Sequence, residues 1–94
     1  MPETRFQIQW PDASHEVCYS PSSIIKKYFV PGQEYELENF VERARTALNI
    51  ASDRVEEKYG RPCGLALGQI QSIEDRADLF RHLSPAKVRM LGFL

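Results

Sequence analysis

The chain has 94 residues, 43% of them hydrophobic and 27% charged, and a formal net charge of −1. That composition suits one globular domain, residues 1–94, with a single modest core and little room for a deep private active site. It supplies no general attraction to nucleic acid or anionic membranes, and no run approaches the roughly 18 apolar residues of a membrane span.

From the first residues, RFQIQW alternates, with Phe6, Ile8 and Trp10 on one side, as in a half-buried strand. PDAS signals a turn. HEVCY alternates again, and pairing Trp10 with His15 sets Ile8 opposite Val17 and Phe6 opposite Tyr19. In that register Cys18 lies on the other face, beside Gln7. Ala13 is a poor residue for a two-residue turn that wants glycine, so a four-residue loop is expected. Ser20 and Pro21 read as N-cap and first position of a short helix, SSIIKKYF, which Val30, Pro31 and Gly32 end.

QEYELE is extended or irregular. A second helix starts near Glu38, with Phe40, Val41, Ala44, Ala47, Leu48, Ala51 and Val55 at helical spacing, and stops at Gly60 and Pro62. A third runs from about Cys63 to Leu79, with Ala66, Leu67, Ile70, Ile73 and Ala77 inward. The tail AKVRMLGF is available as a third strand over residues 87–93. The expected architecture is two-layer α+β: an N-terminal β-hairpin, with or without that C-terminal strand, packed against two longer helices and one short one. Two strands alone are marginal, so a third strand or a partner's strand is wanted, and an open edge favours dimerisation.

The stretch CYSPSSIIKKYF holds the densest chemistry. Cys18 needs a lowered pKa to act as a nucleophile, and a helix beginning at Ser20, with Lys26 and Lys27 further along, offers the only nearby positive end. No local base accompanies it, and a small apolar residue in a strand is the simpler reading. Ser20, Ser22 and Ser23 surround a helix start that can hold an anion, and Lys26 adds a cation. No glycine-rich phosphate loop is present, so capping explains the serines more simply. His15, His82, Cys18 and Cys63 match no zinc spacing, and neither a metal nor a cofactor is expected. The mixed charges of the second helix read as intrahelical ion pairs, and Glu74, Asp75 and Asp78 as a solvated acidic face. The opening MPETRFQIQW lacks a basic segment followed by an apolar one. A cytoplasmic location with reduced thiols is therefore expected.

WPD, EVCYSPSSIIKKYF, PGQEY, FVERARTALNIASDRVEEKYG and Cys63 together resemble a family of small bacterial nitrogen starvation response proteins encoded in nitrilase gene clusters. The resemblance runs from Phe6 to about Ile73, and departs at Ala13, where that family usually has glycine. It implies neighbouring genes for a nitrilase, a radical-SAM protein, an acetyltransferase-like protein and a flavin-dependent oxidoreductase. It carries over no catalytic residue. The resulting expectation is a non-enzymatic accessory or interaction protein whose partner is an enzyme of that cluster or a second copy of itself, with no nucleic acid and no membrane. The alternative is a small-molecule-binding or thiol-dependent protein using Cys18 and the helix start at Ser20.

Overall fold

The computed structural model describes residues 3–94. Strand β1 (Thr4–Gln9) turns into β2 (His15–Ser20), a five-residue 3-10 turn (Ser23–Lys27) follows, and β3 (Glu34–Glu36) leads directly into helix α1 (Leu37–Tyr59). Helix α2 (Gly64–Asp78) and strand β4 (Lys87–Phe93) complete the chain. The fold is α+β, with one four-stranded antiparallel sheet in the order β2-β1-β4-β3.

β1 behaves as its alternation predicts: Phe6, Ile8 and Trp10 are all buried. β2 does not. Trp10 donates its N–H to the Ser14 carbonyl at 2.8 Å, and Ala13 donates to the Trp10 carbonyl at 2.9 Å. The loop is therefore three residues, Pro11, Asp12 and Ala13, a type I turn closed by a residue in the left-handed region. Ala13 takes that position at φ 70°. Asp12 Oδ1 holds the turn by accepting from the Ser14 N–H at 3.0 Å and from its hydroxyl at 2.5 Å. An odd loop shifts the register by one. Phe6 faces Cys18, Ile8 faces Glu16, and Gln7 faces Val17.

The expected pairing is thus corrected, and every β2 side chain changes face. Cys18 enters the core at 1% exposure, while Val17 stands 50% exposed. Tyr19 also leaves the core face and is half-buried.

The tail is no edge addition. β4 lies between β1 and β3, with Val88 and Met90 fully buried. Ile8 pairs with Met90 and Gln7 with Gly92, so Leu91 is the extra residue of a bulge. The third strand wanted on physical grounds comes from the chain itself, and a fourth with it.

α1 buries the expected stripe from Phe40 to Ala51 and ends at Gly60, whose φ of 82° lets its N–H return to the Glu56 carbonyl at 2.8 Å. The charged residues of α1 reach other elements rather than pairing mainly within the helix. Arg45 bridges Glu74 of α2 at 2.6 Å, and Arg43 donates to the Tyr28 carbonyl at 3.1 Å. The sheet and helices share one core, in which Trp10 stacks on Phe80 at 5.7 Å and meets Phe40 edge-on at 5.8 Å. The Trp10 indole N–H is satisfied by Glu16 Oε1 at 2.8 Å.

Candidate functional site

The joint from Cys18 to Lys26 is built inward. Ser20 is not the helix cap. It remains in the β2 ladder opposite Thr4, and the cap falls to Ser22, whose Oγ accepts the Ile24 N–H at 3.3 Å. Ser20 Oγ donates to the Ser22 carbonyl at 2.7 Å and accepts the Ser22 N–H at 3.3 Å. Arg54 Nη1, 32 residues away, donates to Ser22 Oγ at 3.2 Å. Both hydroxyls are buried, and every hydrogen bond they make ends within the chain. Ser23 is half-buried, and Lys26 is exposed with its ammonium 5.8 Å from the Phe93 ring centroid. The five candidate residues therefore form no common cleft: three face the core and Lys26 faces solvent.

Cys18 is the clearest case. Its Sγ lies 3.8 Å from Glu16 Oε2. Burial pushes its pKa far above the ordinary thiol range, and the neighbouring Glu16 carboxylate acts in the same direction. The thiol stays protonated at neutral pH, which removes the property a cysteine nucleophile requires.

The second cysteine is placed differently. Cys63 precedes the first turn of α2, is half-buried, and its N–H donates to Ser52 Oγ at 3.1 Å. Its side chain lines a cleft of about 310 Å³ with Tyr19, Tyr59, Pro21, Val55 and Glu3. Desolvation raises the Tyr19 hydroxyl pKa, helped by the nearby Glu3 carboxylate. This cleft escaped the sequence reading because the expected register placed Tyr19 in the core. A second cleft of about 350 Å³ lies at one end of the sheet, where Gln9, Lys87 and Arg89 meet Pro11 and Pro85. Arg89 there is engaged by the Gly32 carbonyl at 2.8 Å and by Glu34 at 3.6 Å.

Both histidines are exposed. Among the described residues no three His, Cys, Asp or Glu side chains come together as metal ligands would. The acidic residues of α2 are individually occupied: Glu74 by Arg45, Asp75 by Gln71 and Asp78 by Arg81. No helix among the described residues is long and apolar enough to cross a membrane.

A family model described as nitrogen starvation-induced protein NitG matches residues 5–93. The chain belongs to the NitG family. The match takes in all four strands of this NitG-family chain except the first residue of β1, and all of both helices. It extends past the resemblance read from the sequence into β4, the strand that completes the sheet. Neither the curated proteins nor the solved structures contain a match.

Proposed function

We propose that this chain is a non-enzymatic accessory protein of a bacterial nitrogen-starvation response, acting in the cytoplasm by binding an enzyme encoded in the same nitrilase gene cluster. The family supplies the nitrogen-starvation context. The observation that carries the binding role is the outer face of the sheet. Arg5, His15, Val17, Glu34, Glu36 and Lys87 project from all four strands on the side away from the core, and all are exposed. A face built on paired strands is rigid before a partner arrives, which lowers the ordering cost of docking. Its mixture of charge with an occasional apolar group suits a non-obligate interface.

The alternative, a ligand or thiol site at Cys18 and Ser20, has no comparable support. The thiol is buried and protonated, and the serine hydroxyls are spent on the backbone and on Arg54.

The test is a pull-down of the tagged chain from nitrogen-starved cells, read by mass spectrometry, beside a variant carrying Arg5→Glu and Lys87→Glu. Recovery of one cluster enzyme in stoichiometric amount, lost in the variant, is the expected result. Recovery of the chain alone removes the basis for an accessory role.

A further inference from the structure

We propose that two copies of this chain associate side by side through β2 and α2, joining their sheets into one of eight strands. The inference goes beyond the enzyme-partner reading and does not depend on it.

It begins with the free edge of β2. The Tyr19 N–H points away from β1, because its acceptor is Gln69 Oε1 of α2 at 3.0 Å. Backbone groups along a strand alternate in direction, so those of Val17 and His15 point the same way as Tyr19. Val17, whose side chain is 50% exposed on the outer face, has ladder neighbours on β1 only. The middle of β2 is an open edge, the feature that recruits another strand.

α2 runs alongside. Gln69 contacts Tyr19, and Arg76 Nη2 donates to Ser14 Oγ at 3.0 Å. The helix is therefore antiparallel to β2. Midway between those two contacts lie Ser72 on the helix and Glu16 and Val17 on the strand. A groove of about 620 Å³, lined by Glu16, Gly68, Ser72, Asp75 and Leu79, occupies that level. One two-fold axis passing near Val17 and Ser72 then serves both layers.

About that axis β2 pairs antiparallel with its own copy. Val17 meets Val17 of the second copy, and His15 meets Tyr19, whose N–H passes from Gln69 to the new strand. On α2 the axis relates positions equally spaced from Ser72. Leu65 and Leu79, 69% and 62% exposed, stand seven residues either side and meet each other across the interface. Asp75 faces Gln69, and Arg76 faces Gly68. Along α2 no like charges stand at opposed positions, while on β2 Glu16 faces Cys18 of the second copy and lies diagonally across the axis from its own copy, its carboxylate engaged by the Trp10 indole N–H.

Gly68 supports the same reading from a different direction. A Cβ added there would meet nothing within 4 Å, so the packing of the single chain gives no reason for glycine. Inside a helix glycine costs about 1 kcal/mol relative to alanine. A second α2 approaching over Gly68 and Ser72 supplies the reason that the single chain lacks, since small residues let helix axes come close.

The experiment is sedimentation equilibrium of the purified chain alone, compared with Val17→Pro and Gly68→Gln. Proline at 17 removes an N–H that points away from β1, so the β1 ladder loses nothing. Glutamine at 68 enters open space on a helix, carries no charge for the facing Arg76 to pair with, and replaces a poor helix former, so the single chain keeps its fold while close approach of the second helix is blocked. The expected result is a dimer of the 10.8 kDa chain, weakened about tenfold or more by each substitution with unchanged far-UV circular dichroism. Ser72→Cys in a Cys63→Ser background should also cross-link to itself on mild oxidation, because Ser72 lies on the axis. If proline at 17 disturbs the fold, Gly68→Gln decides. A wild-type chain that stays monomeric across the concentration series overturns the proposal, as does a dimer that Gly68→Gln leaves intact. A cluster enzyme captured in the pull-down would have no bearing on either outcome.

Discussion

Two regions of this molecule carry cysteine beside hydroxyl groups, and they use them in opposite ways. At the joint after β2, Cys18, Ser20 and Ser22 are buried, and their polar atoms are consumed by the backbone, by Glu16 and by Arg54. At the start of α2, Cys63 lies half-buried in a cleft with Tyr19 and Tyr59, and its thiol stays near solvent. The denser cluster in sequence is the one whose polar atoms are already engaged within the chain. Polar groups that cap and cross-link the chain have spent their hydrogen-bonding capacity, whereas reactivity needs a group whose capacity is still free.

Alkylation breaks or sharpens this contrast most strongly. With iodoacetamide near neutral pH, Cys63 should react faster than Cys18 by about a hundredfold or more, because Cys18 is reached only through opening of the core. Mass spectrometry of a time course reads the ratio directly. Equal rates would mean that the β2 register is wrong.

Stability separates the two regions next. Ser22→Ala removes both the cap on Ile24 and the acceptor for Arg54, and should cost about 1–2 kcal/mol in urea unfolding. Cys63→Ser should fall within about 0.5 kcal/mol of the wild type, as substitutions outside the core usually do. Reversal of that order would show the serine joint to be loosely held.

The smallest effect concerns the turn that sets the register. Ala13→Gly relieves a left-handed residue that costs about 1 kcal/mol, and part of the gain is returned as unfolded-state entropy. A rise of about 0.5 kcal/mol in unfolding free energy is expected. A loss instead would place Ala13 outside the left-handed region.

Much of the framework was legible before the fold was known. The alternation of Phe6, Ile8 and Trp10, the helical stripe from Phe40 to Ala51 and the stop at Gly60 all act over a few residues, and each appears as read; Val55, at the end of that stripe, is only half-buried. The β2 register was not legible in the same way. Its pattern of large apolar residues favoured Val17 and Tyr19 inward, but the Asp12 side chain closes a three-residue turn and the odd count turns Cys18 inward instead. The capping role moved from Ser20 to Ser22 for a related reason: Ser20 is held in the ladder by Thr4.

The sequence by itself thus determined the α+β class, the approximate spans of the two long helices and the inward stripe of β1, because propensity and periodicity are local properties of the chain; the short helix expected after Ser20 is only a 3-10 turn over Ser23–Lys27. Only the tertiary structure decided that β4 sits between β1 and β3, that Arg54 reaches Ser22, and that one cysteine is sealed while the other is not. Those outcomes depend on which distant segments bury apolar surface and satisfy backbone groups together. The residues that compete for such pairings lie tens of positions apart, and no local pattern ranks them.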